Sequence, residues 1–406
     1  MNIVTPMEKN LEAEHTASLW TKDFILLGLG NLLLGTAFYF LIPILPIYLT
    51  DKLHLSLGVI GIMMSLFTVS ALLIRPFCGF WLDRFDRKVF YFGAFALMVG
   101  LFGLYPLALG LLSFAMLRLA HGFAWGMTTT ASSTIVADIV PAMRRGEGIG
   151  FYGLSMTMAM SLGPLLGITI VKHLHYPAMF YSGMGLGMAG LVLVLFVSYP
   201  HTVSKKEFKW GELFEPATIP VSLVQLLLNF SYGGLLSYVA MYGKWIGIGN
   251  PGNFFLFFAI GMGLSRLWSG KVFDKKGPAL IMRLGFVFLI VGFCLLAGSK
   301  NSLLYLISAF VIGTGNGITM PSFQTMINAV VSRERRGAAN STFFTAFDIG
   351  IGGGMILMGS LAQNLGLKAV FWGCAVVALC SMLLFEMVAL RHYAGHLTIA
   401  HDRGNQ

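Results

Sequence analysis

Three ionisable side chains, Arg118, His121 and Asp348, lie deep inside long apolar runs of this 406-residue chain. A charge in such a run costs about 3 kcal/mol on insertion scales and usually faces a helix-bundle interior or a watery cavity. Asp348 is near the middle of its run, on one helical face with Thr345. Because burial favours the neutral carboxyl group, Asp348 could load and release a proton. Pairing with an arginine for structural reasons is the alternative.

Arg118 and His121 lie nearly one helical turn apart. Arg118 is a permanent cation, so its withdrawal from water demands an acceptor. His121 can titrate near neutral pH, although a lone histidine on a helix is more often a packing residue. Proton coupling is therefore predicted for Asp348 and is a candidate role for His121. The sequence holds no cluster of His, Cys and carboxylates with ligand spacing, so neither a metal nor a cofactor is expected.

The composition predicts a chain immersed in lipid. Hydrophobic residues make up 56% of the chain, charged residues make up 11%, and the mean hydropathy is +0.78. A spanning helix needs about 20 apolar residues, and the length accommodates twelve such helices. The predicted spans are 23–49, 56–81, 88–110, 112–137, 147–171, 176–199, 218–241, 252–272, 279–298, 302–331, 337–361 and 367–390.

A polar segment divides the chain into two halves. The predicted parts are an N-terminal tail (1–22), a six-helix bundle (23–200), a linker (201–217), a second six-helix bundle (218–391) and a C-terminal tail (392–406). Most loop lysines and arginines fall in alternate loops, which predicts cytoplasmic termini and linker in a multi-pass inner-membrane protein. The net charge of +10 is explained by this topology. A nucleic-acid partner is not expected, because no soluble domain is long enough.

The two halves repeat one another. A shift of 191 residues carries Arg75 onto Arg266 and Gly79 onto Gly270. The same shift carries other residues with it, and the register holds without a gap: Asp83 onto Asp274, Gly122 onto Gly313, Gly126 onto Gly317 and Arg145 onto Arg336. A duplicated unit is therefore predicted.

The segment Gly79-x-x-x-Asp83-Arg84-x-x-Arg87-Lys88 resembles the loop signature of the major facilitator superfamily of secondary transporters. The segment differs in having Asp86 where glycine is usual. The resemblance implies an all-α integral membrane fold of twelve helices in two pseudo-symmetric six-helix bundles. It also implies a gating role at the cytoplasmic face for Gly79, Asp83, Arg84, Arg87, Asp274 and Arg336.

Two further segments resemble motifs of that family. Arg118 to Gly122 resembles the fourth-helix motif, with His121 in place of glutamine. This resemblance implies that Arg118 lines a central cavity and takes part in proton coupling. The second segment, Ala159 to Gly167, resembles the fifth-helix motif of antiporters, but Ile168 replaces its last glycine. The family's cavity-lining helices imply substrate contacts from Asn31, Tyr39, Trp125, Gln225, Asn229 and Asn316.

Small residues and prolines mark helix contacts and bends. Glycines four residues apart let helix backbones approach closely, and prolines remove backbone hydrogen bonds. Pro43 and Pro46 therefore predict either a hinge or a static kink in the first span. The predicted packing or hinge residues are Pro43, Pro46, Gly163, Pro164 and Gly167.

These features predict a monomeric, proton-coupled exporter of small organic molecules that works by alternating access in the bilayer. Uptake of a metabolite by proton symport is the alternative within transport. A non-transporting receptor or assembly factor is an alternative of another class, but it would not need the repeated charges. Enzymatic activity is not expected, because no nucleophile, base and orienting group occur together.

Overall fold

The computed structural model describes residues 18–108, 110–141, 145–199, 214–331 and 336–395. These residues form twelve long α-helices and no strand. The first half comprises α1 (Lys22–Leu53), α2 (Leu57–Arg84), α3 (Arg87–Phe102), α4 (Leu111–Ile139), α5 (Arg145–His173) and α6 (Tyr176–Leu195). The second half comprises α7 (Ile219–Trp245), α8 (Asn253–Lys276), α9 (Pro278–Ala297), α10 (Ser302–Ala329), α11 (Arg336–Leu365) and α12 (Leu367–Leu384).

Nine of the helices in the described ranges are long and apolar enough to cross a membrane on their own. The three that do not qualify are α3, α4 and α8. Helix α3 has only 16 residues, fewer than the roughly 20 that a bilayer core requires. The positions of all twelve helices nevertheless agree with the twelve predicted spans.

Most predicted helix ends lie within about four residues of the observed ones, and one boundary was wrong. Helix α3 ends at Phe102 instead of near 110, and a separate 3₁₀ turn follows at Tyr105–Leu107. Pro106 has no N–H to donate back to Phe102, so the α-helical ladder cannot continue there. Helix α2 extends to Arg84, three residues past the predicted end, so Asp83 of the signature also belongs to the helix. The connection is short because Asp86 caps α3 through Lys88 N, at 2.8 Å, and Val89 N, at 3.1 Å.

The repeat in the sequence is reproduced in the packing. A Cβ atom on Gly122 of α4 would overlap the carbonyl oxygen of Phe67 on α2, and a Cβ atom on Gly313 would overlap the carbonyl oxygen of Phe258. The same 191-residue shift relates the two contacts. It also relates the contact of Gly126 with Ala71 to that of Gly317 with Met262. The pairs α2/α4 and α8/α10 therefore pack in the same way.

Three helix pairs form the seam between the halves: α2 with α11, α1 with α7, and α5 with α8. Helix α1 continues through Pro43 and Pro46, so a hinge at these residues stays a prediction. Helix α5 packs closely against α1. A Cβ atom added to Gly163 would lie only 2.9 Å from the carbonyl oxygen of Thr36, so a larger residue would not fit there. Further along α5, Gly167 lies against the backbone of Phe40. Two of the three seam helices of the first half, α1 and α5, are thus held together by glycine contacts.

Candidate functional site

An ion pair crosses the seam between the halves. Nε of Arg75, on α2, lies 3.0 Å from Oδ2 of Asp348, on α11. The Asp348 side chain is 13% exposed and the Arg75 side chain 30%. Asp348 is about 18 Å along α11 from its first residue, well inside the bundle. The arginine that the sequence left open as a partner is therefore Arg75, which sequence reasoning used only to define the repeat.

Two residues predicted to bind substrate lie next to this ion pair. Gln225 Nε2 donates to Asn229 Oδ1 at 3.1 Å, and Asn229 Nδ2 donates to the carbonyl oxygen of Phe347 at 3.3 Å. Phe347 precedes Asp348 in the chain, so Asn229 is anchored on the segment of α11 that carries the carboxylate. Asn229 can approach α11 this closely because Gly350 has no side chain.

A small cavity lies between the halves. We call it the aromatic cavity, and its lining residues are Tyr39 of α1, Met160 of α5, Tyr232, Leu235 and Leu236 of α7, and Phe254, Phe255 and Phe258 of α8. Its free volume of about 10 Å³ is close to that of a single water-sized sphere. Tyr232 of this cavity is about one helical turn from Asn229 on α7, and Asn229 donates to the carbonyl oxygen of Phe347, the residue before Asp348. The cavity is thus close to the part of α11 that carries the ion pair.

Arg118 is fully buried in the first half. Its Nη2 donates to the carbonyl oxygen of Met64 at 3.2 Å, its Nε points at that of Met63 at 3.5 Å, and its guanidinium lies 4.7 Å from the centre of the Phe67 ring. Among the described side chains, no carboxylate lies within ion-pair distance of it. Backbone carbonyls and an aromatic face therefore stabilise this cation.

His121 lies one turn further along α4 and is also fully buried. Its Nδ1 is 3.0 Å from the hydroxyl of Tyr105, and its ring meets Phe102 edge-on with centroids 4.8 Å apart. Its Nε2 has no hydrogen-bond partner among the described residues. A coupling role for His121 stays a prediction.

The remaining residues predicted to bind substrate are more scattered. Trp125 stacks on Phe38 with ring centroids 4.1 Å apart. Asn31 donates to Ser155 Oγ at 2.7 Å, which ties α1 to α5. Asn316 is half-buried on α10. In this conformation Asn31 and Trp125 are engaged within the first half, so substrate contact by either would require them to rearrange.

Four of the six predicted gating residues lie where α2 ends and α3 begins, which we call the Arg87 end: Gly79, Asp83, Arg84 and Arg87. Asp274 is near the end of α8, and Arg336 begins α11. Arg87 forms an ion pair with Asp138, at the end of α4, so its partner belongs to the same half. The side chains of the other predicted gating residues lie outside the described part of the structure: Gly79, Asp83, Arg84, Asp274 and Arg336. Their gating role stays a prediction.

The opposite end, where α1 ends and α2 begins, is closed by polar contacts across the seam. We call it the Asp51 end. Asp51 Oδ2 of α1 lies 2.9 Å from Lys244 Nζ of α7 and accepts from the Tyr176 hydroxyl, also at 2.9 Å. Lys172 Nζ donates to the carbonyl oxygen of Gly249 at 3.2 Å. Sequence reasoning used these lysines only to assign topology.

A second group of contacts closes the Asp51 end between α2, α7 and α11. Gln363 Oε1 of α11 accepts from Ser56 Oγ at 3.2 Å and from the backbone nitrogen of Gly58 at 3.0 Å. The Tyr238 hydroxyl of α7 donates to the carbonyl oxygen of Leu57 at 3.0 Å. Gly61 of α2 packs directly on the carbonyl oxygen of Met355. The halves are therefore in close contact at this end.

A duplicated helical bundle whose described part contains nine candidate spans, with an ion pair across its seam and one closed end, defines a multi-pass membrane transporter. The Major Facilitator Superfamily model matches residues 27–352 and 252–404. The chain therefore belongs to that superfamily, whose members carry small molecules across the bilayer.

Relatives and solved structures agree with this assignment. The chain is 25% identical to the multidrug resistance protein MdtG of Escherichia fergusonii, over 90% of this chain and 93% of that protein. It is 24% identical to the multidrug resistance efflux pump PmrA of Streptococcus pneumoniae, over 92% and 97%. The structure of a D-xylose–proton symporter superposes with a TM-score of 0.75 at 14% identity, over 91% of this chain and 98% of that one. The symporter shows the shared fold.

Proposed function

We propose that the chain exports small organic molecules across the inner membrane, as a monomer, in exchange for protons. The observation that carries the proposal is the Arg75–Asp348 ion pair, which joins the two halves through α2 and α11. Asp348 is the proton-carrying residue in this proposal, and Arg75 is its counter-charge.

The ion pair links protonation to the movement of the halves. Removing one member of a partly buried pair leaves the other charge without a partner in a site largely shielded from water, which is unfavourable. When α2 and α11 move apart, Asp348 loses Arg75, and binding a proton removes the charge that would otherwise be left unpaired. Proton binding to Asp348 therefore favours separation of the halves, and proton release favours their contact.

The closed Asp51 end is the outer end in this proposal. Lysines and arginines concentrate in the loops of the Arg87 end, and such loops are cytoplasmic as a rule. The structure then corresponds to a state that is sealed from outside by Asp51, Lys244 and Gln363. The proposed domain bounds are 23–200 and 218–391 for the two bundles and 201–217 for the linker.

Support for export comes from the relatives named multidrug resistance protein and multidrug efflux pump. The partial antiporter motif around Gly163, Pro164 and Gly167 points in the same direction. Uptake by symport would move protons and solute the same way, and the experiment below distinguishes the two.

The test uses inside-out membrane vesicles, acidified inside by respiration and loaded with a pH-sensitive dye. A panel of drugs and metabolites is added one compound at a time. An exchanged substrate releases protons from the vesicles and restores dye fluorescence, and Asp348→Asn should abolish this response. A compound that enters only when protons move in the same direction would indicate symport.

Glu386→Gln is the matched control, because Glu386 forms an ion pair with Arg283 near the surface of the second half, away from the seam. This variant should keep the response. If Asp348→Asn responds like the unchanged protein, Asp348 does not carry the proton. If no compound in the panel moves protons, proton coupling itself is wrong.

A further inference from the structure

One face of α7 carries an unusual row of buried polar side chains, which we call the α7 stripe: Ser222, Gln225, Asn229 and Tyr232. Spacings of three, four and three residues place all four on the same side of a helix. The stripe extends about 15 Å, from near the Arg87 end to the aromatic cavity. It is therefore continuous with the neighbourhood of the Arg75–Asp348 pair.

Three atoms of this stripe have no hydrogen-bond partner within the described residues: Ser222 Oγ, Gln225 Oε1 and the Tyr232 hydroxyl. The three side chains are 2%, 3% and 8% exposed. Leaving such a group buried and unpaired costs about 1–3 kcal/mol, and native proteins do so rarely. Three unpaired polar atoms on one helix face indicate that these atoms form hydrogen bonds to a ligand.

The chemistry of the ligand follows from the lining of the stripe and cavity. Gln225 Oε1 can only accept a hydrogen bond, so it requires a donor, whereas the Tyr232 hydroxyl can donate or accept. The residues that line the aromatic cavity are all uncharged, and the nearby carboxylate of Asp348 is already paired with Arg75. Aromatic faces such as Phe258, which stacks near Tyr232 with centroids 6.3 Å apart, favour a planar ring.

We infer that the α7 stripe and the aromatic cavity bind uncharged, ring-containing molecules that donate at least one hydrogen bond. The ring lies between the two halves, among Tyr39, Met160 and Phe258, and the donor group reaches the hydroxyl of Tyr232. In a longer molecule, a second donor reaches the amide oxygen of Gln225, about 10 Å further along α7. The cavity holds about one water molecule in this conformation, so the ligand enters when the halves are apart. This inference rests on the proposed transport function and specifies its substrate class.

The test measures equilibrium binding to the full-length protein in lipid nanodiscs, with empty nanodiscs as the background and no pH gradient. The probes are 2-naphthol, its apolar analogue 2-methylnaphthalene, and the aromatic cation tetraphenylphosphonium. We expect saturable binding of 2-naphthol that is stronger than that of the cation. Tyr232→Phe should weaken 2-naphthol binding about threefold to tenfold, the effect of one hydrogen bond, and leave 2-methylnaphthalene unchanged.

Tyr181→Phe is the matched control, since this half-exposed tyrosine of α6 lies outside the cavity; it should bind all three probes normally. Met160→Phe fills the cavity from the first half and should weaken both naphthalene probes, so the inference can still be tested if Tyr232→Phe does not fold. Absence of saturable 2-naphthol binding, preference for the cation, or unchanged affinity in both variants would overturn it. Loss of proton coupling alone would leave these results unaffected, because no gradient is used.

Discussion

Gln363 of α11 caps a helix that belongs to the other half of the chain. Its side-chain oxygen accepts from the backbone nitrogen of Gly58, in the first turn of α2, at 3.0 Å. Ser56 occupies the N-cap position of α2 but makes no capping bond to its own helix; its hydroxyl donates to Gln363 instead. When the halves separate, Ser56 can cap α2 itself, so the start of α2 has a hydrogen-bond acceptor in both states.

Gln363→Leu should shift the protein toward a state that is open at the Asp51 end. Loss of a helix cap costs about 1 kcal/mol, which corresponds to about a fivefold change in population. Nitroxide labels on cysteines that replace Lys52 and Lys368, both exposed, would report the separation of the halves by pulsed electron spin resonance. Asn364→Leu is the control, because Asn364 bonds within α11 and its replacement should leave the distances unchanged.

Gly61→Ala should also prevent the Asp51 end from closing. A Cβ atom on Gly61 would overlap the carbonyl oxygen of Met355 across the seam, and a backbone carbonyl cannot rotate away as a side chain can. The same labels should show longer distances, and thermal stability should fall. Gly93→Ala is the matched control, since its Cβ would meet nothing within 4 Å and alanine in a helix is favoured by about 0.5–1 kcal/mol. Equal behaviour of the two variants would contradict the close approach of α2 and α11.

The Arg75–Asp348 pair should show strong energetic coupling. A double-mutant cycle with Arg75→Gln and Asp348→Asn, measured by denaturant unfolding in detergent micelles, should give a coupling energy of about 1–3 kcal/mol. The bidentate pair Arg283–Glu386 is more exposed, at 50% and 28%, and should give a clearly smaller coupling energy because solvent screens it. Similar coupling energies for both pairs would mean that the Arg75–Asp348 pair stabilises the protein no more than an exposed ion pair does.

Arg118→Lys should impair transport far more than it impairs expression. A lysine cannot reach the carbonyl oxygens of Met63 and Met64 while also stacking a planar group on Phe67. We expect the dye response of the vesicle assay to fall about tenfold or more at an unchanged amount of protein in the membrane. Lys368→Arg, at an exposed position, is the control. Full activity of Arg118→Lys would assign Arg118 a purely structural role.

The fold could be predicted because its signals are physical and long-range. Apolar runs of bilayer length located the twelve helices, and the constant register of Gly79 with Gly270 and Gly122 with Gly313 exposed the duplication. Helix ends were less predictable where local chemistry decides them, as at Pro106 and at the cap formed by Asp86.

The site was predicted only in part. A buried carboxylate such as Asp348 is conspicuous in sequence because it violates hydropathy, but its partner Arg75 lies 273 positions away in the chain. Sequence periodicity likewise cannot say that Gln363 accepts from Gly58, because such pairs depend on how two separate bundles meet. The signal that could have identified Arg75 is its repetition as Arg266. An arginine that recurs at the same position of both halves is not expected simply to face lipid.

The matching glycine contacts of α2 with α4 and of α8 with α10 fix the distance between the two helices of each pair. Since carbonyl oxygens lie directly against Gly122 and Gly313, neither pair has space to slide without breaking contact along its length. A probe distance measured inside either pair should stay constant through the cycle, while a distance from one pair to the other should change. Distances within a pair therefore serve as the reference that distinguishes movement of the two halves from local distortion.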